Sequence, residues 1–147
     1  MFARTERLLL RPGWAEDAPA LAKAIADETI VRNLSSAPWP FSLRDAEAHL
    51  AAPRDPLLPS MLVFERTDGD PLLVGSCGLG RRASGSVEFG YWIARPHWGR
   101  GFATEAGEAL VAIARAHDCE HWLLSQKSQA ARLARRNSGP ARKACRL

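Results

Sequence analysis

The feature that most constrains the fold of this chain is a glycine-containing turn at residues 98–106, Trp-Gly-Arg-Gly-Phe-Ala-Thr-Glu-Ala. It follows a strand-like run at residues 87–94 and opens a helical run that ends near His117. Glycines let backbone N–H groups turn toward one point, and a helix N-terminus adds partial positive charge there. Arg100 could add a full charge. The pattern predicts a seat for a pyrophosphate, although glycines at this spacing also occur in ordinary turns.

The spacing of these glycines excludes two common nucleotide-binding motifs. A dinucleotide fingerprint needs a glycine three residues after Gly101, where this chain has Thr104. A phosphate-binding P-loop needs Gly-Lys-Ser/Thr, which does not follow. The signal therefore depends on the whole unit at residues 88–106.

That unit resembles the GNAT superfamily of N-acetyltransferases, whose signature Gln/Arg-x-x-Gly-x-Gly/Ala joins the fourth strand to the third helix. Gly101 and Ala103 match it, and Trp98 stands at the first position, as is usual in the RimJ/RimL-type branch. Residues 5–11, Thr-Glu-Arg-Leu-Leu-Leu-Arg, resemble the opening of the same branch. The resemblance implies an α/β (α+β) fold, in which helices flank a mixed, mostly antiparallel sheet.

Apolar patterning predicts the strands that precede the turn. Residues 5–12, 61–66 and 71–79 read as strands, and Asp-Gly at 68–69 predicts a hairpin between the last two. The resemblance places this hairpin as the family's second and third strands.

Helices are predicted from residue 15 to about residue 27 and over residues 41–50, with a loop or short helix between them. Ser42 is a candidate N-cap, and Asp45 lies where the partner in a capping box is expected.

The resemblance implies acetyl transfer from acetyl-CoA, as co-substrate, to an amine. It places Ile93 and Ala94 beside the pantetheine arm. It surrounds the phosphates with six backbone N–H groups, those of Gly99, Arg100, Gly101, Phe102, Ala103 and Thr104.

The resemblance implies a catalytic Glu at the position of Glu88 on the motif strand, which makes Glu88 the candidate general base, acting through water. A base is needed because a protonated amine must lose its proton before it attacks a thioester. Alternatively, Glu88 is a strand residue whose side chain only hydrogen-bonds the acceptor or a loop. Trp39 and Phe41 are candidates for the acceptor groove, or they pin the following helix to the core. The general acid has no good candidate, since Tyr91, the only tyrosine, lies on the apolar face of its strand.

The resemblance implies an incomplete acetyltransferase domain at residues 1–120, and the charge distribution sets off residues 121–147 as an atypical basic tail. The first part carries 13 Lys/Arg and 16 Asp/Glu, whereas the tail carries 7 Lys/Arg and no acid. The family's last strand–helix–strand part is missing or altered there. Our hypothesis is a change of reading frame near residues 117–122. A genuine basic tail for nucleic acid or acidic partners is the less favoured alternative.

The cysteines and histidines bear on the cellular compartment and on metal binding. Three widely spaced cysteines without a Cys-x-x-Cys pair favour a reducing cytoplasm. No signal peptide or membrane-spanning run is expected. His117 and His121 fit the His-x-x-Glu-His zinc pattern, but the helix should end there, so no metal is predicted.

Loss of the family's last part should expose apolar surface and weaken activity, with homodimerisation as a possible rescue. The alternative function is a non-catalytic acetyl-CoA-binding protein or an inactive remnant.

Overall fold

The structure is a computed structural model that describes residues 2–34, 37–81, 83, 85 and 87–116. The predicted tail at residues 121–147 lies outside the described residues. So does the region where the family's last strand–helix–strand part is expected.

Five strands form one sheet in the order of the sequence. They are β1 (Ala3–Arg4), β2 (Leu8–Arg11), β3 (Ser60–Glu65), β4 (Leu72–Arg81) and β5 (Val87–Ile93). All neighbouring pairs of these strands are antiparallel, so the parallel pairing of a mixed sheet does not occur among the described residues. The hairpin predicted from Asp-Gly at 68–69 is confirmed as β3–β4.

The strand predicted at residues 5–12 is confirmed only as β2 (Leu8–Arg11), because residues 5–7 form a turn that follows the short strand β1. The backbone N–H of Thr5 donates to the carbonyl of Leu8 at 2.9 Å, and the N–H of Leu8 donates to the Thr5 hydroxyl at 2.9 Å. Thr5 therefore closes a tight turn that the run of apolar residues did not reveal.

Within the described ranges, four α-helices accompany the sheet: α1 (Ala18–Ala24), α2 (Glu28–Val31), α3 (Leu43–Ala51) and α4 (Phe102–Ala116). The helix predicted through residue 27 ends earlier, because Asp27 is extended and its carboxylate accepts from the N–H of Thr29 at 2.8 Å. It thereby caps α2 instead of continuing α1. The capping box at the start of α3 is confirmed, with Ser42 and Asp45 in the predicted roles.

The two faces of the sheet carry two apolar clusters. Helix α4 covers the first face, where Leu8, Leu10 and Val63 are fully buried beneath Leu110. Helices α1, α2 and α3 cover the other face, where Trp92 is buried. Burial of each large side chain stabilises the fold by about 1.5–3 kcal/mol, so both layers contribute to the folded state.

The side chains of β5 divide between these faces as the sequence predicts. Val87, Phe89, Tyr91 and Ile93 belong to the cluster beneath α4. Because strand side chains alternate, Glu88 shares the opposite face with Trp92. This face also packs against Phe41, which precedes α3.

A buried ion pair joins β2 to the segment before α1. The guanidinium of Arg11 makes two hydrogen bonds of 2.7 Å to the carboxylate of Asp17, which also accepts from the N–H of Trp14 at 2.7 Å. Burial alone would raise the pKa of Asp17, but the bonds from Arg11 and Trp14 outweigh it and hold that pKa below its ordinary value.

Within the described residues, no helix has the length and apolar character needed to cross a membrane.

Candidate functional site

The predicted strand–turn–helix unit is present between β5 and α4. A short 3-10 turn at Arg95–His97 leads from the strand, and Phe102 begins the helix. Between them Gly99 has φ of 75° and Gly101 has φ of 80°. Residues with a side chain rarely adopt these left-handed values, so both glycines are needed for the shape of the turn.

The backbone N–H groups of the turn are available to a ligand. The first N–H of this region that finds a helical acceptor is that of Glu105, which donates to the carbonyl of Gly101 at 3.1 Å. Within the described part of the chain, the N–H groups of residues 99–104 make no well-aligned hydrogen bond to a protein acceptor. These are the six residues predicted to surround the phosphates. An anion could accept from them and complete the start of the helix.

The side chain of Arg100 is directed to a carboxylate of the sheet. Its guanidinium makes an ion pair with Glu65 at the end of β3, with an Nη1–Oε2 distance of 3.0 Å. His97 lies against the same pair, with Nδ1 3.2 Å from the Arg100 guanidinium. The sequence predicted that the charge of Arg100 would face the phosphates. In this structure Glu65 balances that charge, because β3 ends beside the turn.

This pairing also alters the titration of both groups. The hydrogen bond from Arg100 holds the pKa of the Glu65 carboxylate below its ordinary value. The same bond raises the pKa of Arg100. Glu65 is therefore ionised at neutral pH, and its charge balances that of Arg100 beside the turn.

Phe102, the first residue of α4, anchors the turn to the core. It is 1% exposed, and the guanidinium groups of Arg7 and Arg100 lie 5.0 and 4.5 Å from its ring centre. The ring of His97 lies nearly parallel to it at 6.2 Å. Phe102 thus combines a backbone N–H that faces the turn with a buried side chain that fixes the start of the helix.

A second carboxylate, that of Glu105, ties the N-terminal segment to the first turn of α4. It accepts hydrogen bonds from the Thr5 hydroxyl at 2.5 Å, the backbone N–H of Arg7 at 3.0 Å and Nε of Arg7 at 2.8 Å. Burial tends to raise the pKa of Glu105, but these bonds from Thr5 and Arg7 prevail and hold it below its ordinary value. A charged clamp therefore fixes the helix to the opening residues of the chain.

Ile93 and Ala94, predicted to lie beside pantetheine, have most of their backbone groups engaged. The carbonyl of Ile93 accepts from the indole Nε1–H of Trp98 at 2.6 Å. The N–H of Ala94 donates to Val74 at 2.8 Å, and its carbonyl accepts from His97 at 2.9 Å. A ligand beside these residues would have to replace the Trp98 bond or rely on packing, so their predicted role stays a prediction.

The candidate residues for catalysis and acceptor binding differ in how far they are buried. Glu88 is half-buried on the face covered by α1–α3, and Phe41 packs against the same apolar cluster. Trp39, in contrast, has 48% of its surface exposed. The packing of Phe41 agrees with the alternative that it pins α3 to the core, whereas Trp39 is accessible to a ligand.

No metal site is formed by the described residues, which contain no group of three or more His, Cys, Asp or Glu side chains that could hold an ion. His117 and His121 lie outside them. Cys77 is fully buried in β4, and this burial raises its pKa to about 12. Its thiol is therefore protonated and inaccessible, so it cannot serve as a nucleophile in the folded protein.

Sequence reasoning missed the residues that support the turn from a distance, namely Arg7, Glu65 and His97, together with the clamping role of Glu105. Arg7 and Glu105 both lie within the stretches that carry the family resemblance. Their occurrence in the two matching stretches was the available signal that they act together.

Comparison with known proteins gives a match to the family described as acetyltransferase (GNAT) domain over residues 7–139. A curated relative, the uncharacterized N-acetyltransferase p20 of Bacillus licheniformis, is 30% identical over 114 residues, which cover 73% of this chain and 62% of p20.

Solved structures agree with that match. A Vibrio cholerae protein assigned as a ribosomal-protein-serine acetyltransferase is 27% identical, with a TM-score of 0.61 over 78% of this chain and 66% of that one. The ribosomal L7/L12 alpha-N-protein acetyltransferase RimL is 17% identical, with a TM-score of 0.58 over 80% of this chain and 67% of RimL, and shows likeness of fold. The chain thus spans somewhat less than two thirds of p20 and about two thirds of the two solved structures.

Proposed function

The chain belongs to the acetyltransferase (GNAT) domain family, as the sequence resemblance predicted, and we propose that it transfers an acetyl group from acetyl-CoA to a primary amine. The observation that carries this proposal is the run of six backbone N–H groups without acceptors at residues 99–104. It supports the proposal because a pyrophosphate is bound by several N–H donors at a helix N-terminus.

The turn would hold the phosphates of acetyl-CoA through backbone groups. Gly99 and Gly101 supply the conformations that bring the N–H groups around, and Phe102 fixes the start of α4. Phe102, Ala103 and Thr104 would provide the first N–H groups of the helix itself. Since the Arg100 guanidinium is paired with Glu65, the helix dipole and the peptide N–H groups would provide most of the favourable electrostatics.

Glu88 is our proposed general base. The amine acceptor must lose a proton to expose its lone pair, and a carboxylate reached through one water can take that proton. The amine nitrogen then attacks the thioester carbonyl, the C–S bond breaks, and the sulfur leaves as a thiolate. Support for this role is the position of Glu88 on the strand that leads into the phosphate turn, half-buried on the face away from α4.

The acceptor is proposed to be a protein N-terminal amine or a small amine. The names of the Vibrio cholerae protein and of RimL refer to ribosomal proteins, which favours the first class. The exposed indole of Trp39 is our candidate for contact with the acceptor, together with the partly buried Phe41. We further propose action in the cytoplasm, and reduced turnover if the family's last strand and helix are altered.

Calorimetry of acetyl-CoA binding, combined with a thiol-release assay over a panel of amines and N-terminal peptides, tests this proposal. We expect saturable binding and acceptor-dependent release of CoA. Binding without release for every amine would favour a non-catalytic acetyl-CoA-binding protein. Absence of binding would refute the proposed function.

A further inference from the structure

Arg7 reaches the centre of the phosphate turn from the opposite end of the chain. Its Nη1 donates to the carbonyl oxygen of Arg100 at 2.8 Å, across 93 residues of sequence. Its Nη2 lies 2.6 Å from the Glu105 carboxylate, and a Cβ placed on Gly101 would lie 3.4 Å from the same Nη2. Arg7 therefore contacts the turn directly through one arm and the first turn of α4 through the other.

The bond from Arg7 fixes the direction of one donor. The carbonyl of Arg100 and the N–H of Gly101 belong to the same trans peptide unit, so they point in opposite directions. A guanidinium that holds this carbonyl also directs the Gly101 N–H away from Arg7. That N–H is in the middle of the six without acceptors.

The shape of the guanidinium suits this task. Its planar fork can donate to a carboxylate and a carbonyl at once, which a lysine ammonium does not reproduce with the same geometry. Glu105 keeps the fork in place with two contacts, from Nε at 2.8 Å and Nη2 at 2.6 Å. The contact between Arg7 and the ring of Phe102 adds a third point of attachment.

We propose that Arg7 is a positioning residue for pyrophosphate recognition, which orients the Arg100–Gly101 peptide so that its N–H faces the ligand. This inference rests on the proposed function, since it assigns the ligand as acetyl-CoA. It adds a residue that touches neither the phosphates nor the reacting atoms. Arg7 acts through the backbone of the turn.

The test compares two thioesters by calorimetry, acetyl-CoA and S-acetylpantetheine, which lacks the pyrophosphate. In Arg7→Met we expect the affinity for acetyl-CoA to fall about tenfold, the effect of one misdirected hydrogen bond to a charged group. The affinity for S-acetylpantetheine should stay unchanged. An equal loss of affinity for both thioesters in a folded Arg7→Met protein would overturn the inference.

Arg7→Lys separates orientation from charge and also serves if Arg7→Met does not fold. Because lysine keeps the charge but not the fork, we expect a loss of acetyl-CoA affinity similar to that of methionine. Affinity equal to the wild-type value would show that charge alone suffices and would overturn the inference.

Arg66→Gln is the matched control. The Arg66 guanidinium donates to the carbonyls of Thr5 and Glu6, at 3.0 and 2.8 Å, and so holds the same segment without reaching the turn. We expect both affinities to be retained, and an equal loss in this variant would overturn the specific role of Arg7. If the wild-type protein bound neither thioester, the proposed function itself would fail. If the wild-type protein bound acetyl-CoA and the Arg7 variants bound it with the same affinity, only the positioning role of Arg7 would be overturned.

Discussion

The indole Nε1–H of Trp98 donates a hydrogen bond to the carbonyl oxygen of Ile93, five residues earlier, at 2.6 Å. The N–H of Ala94 is bonded to β4, so the Ile93 carbonyl points to the other side of the strand. Trp98 also packs against both apolar clusters. The side chain that precedes the glycine turn thus closes the end of β5 and fixes where the turn begins.

Substitution of Trp98 by Phe should lower the free energy of unfolding by about 1–2 kcal/mol, because it removes the bond to Ile93 and leaves that carbonyl without its partner. Chemical denaturation monitored by circular dichroism measures this loss. Trp39→Phe is the control, since Trp39 is largely exposed and should change stability little. Equal stability of the two variants would show that the Trp98 bond contributes nothing measurable.

Gly99→Ala should cost about 1 kcal/mol of stability, because alanine is strained at a φ of 75° although nothing lies within 4 Å of the added Cβ. It should also weaken acetyl-CoA binding, since the turn can relax only by moving its N–H groups. Gly85→Ala is the matched control, with a φ of 83° and equally open surroundings. We expect the same loss of stability there and no loss of affinity by calorimetry. An identical affinity for both variants would argue against ligand contacts at the turn.

Glu88→Gln should reduce turnover about a hundredfold, in the range expected for loss of a general base, with little change in acetyl-CoA affinity. Stopped assays of CoA release, together with calorimetry, separate the two effects. Glu16→Gln, an exposed substitution before α1, should leave both unchanged. Turnover that survives in Glu88→Gln would remove Glu88 from the catalytic mechanism and leave it a structural or acceptor-binding residue.

Acid should destabilise the protein partly through Asp17. Its pKa is lowered in the folded state, so its contribution is present above the ordinary carboxyl pKa of about 4 and is lost as pH falls through the lower folded value. At pH 7, Asp17→Asn should lower the free energy of unfolding by about 2–3 kcal/mol, because it removes one charge of a buried pair. The difference from wild type should shrink below about pH 4. Denaturation at several pH values measures it, and a constant difference would contradict the assignment.

Sequence patterns predicted those parts of the fold that depend on neighbouring residues. The capping box of Ser42 and Asp45 spans three residues, and the β3–β4 hairpin depends on two turn residues, so both could be read locally. The early end of the first predicted helix was missed because Asp27 favours capping a new helix over continuing the old one.

The candidate site likewise has features that could be predicted from neighbouring residues and others that could not. The glycines of the turn predict a backbone with positive φ, since few other residues adopt it. The partner of Arg100 could not be predicted, because Glu65 is 35 residues away and only the position of β3 brings the two together. The charge of Arg100 was therefore assigned to the ligand, whereas the folded chain uses it within the protein.

The clamp between Arg7 and Glu105 has a consequence for the order in which parts of the protein can fold during synthesis. The two residues are 98 positions apart, so the ribosome completes Glu105 on the order of ten seconds after Arg7. Until then the opening segment lacks its partner, and the glycine turn has not been synthesised. The clamp around the glycine turn can therefore form only after α4 has been synthesised. Local assembly of β3, β4 and β5 can precede it, but the ion pair between Arg7 and Glu105 forms only when the first residues dock on α4.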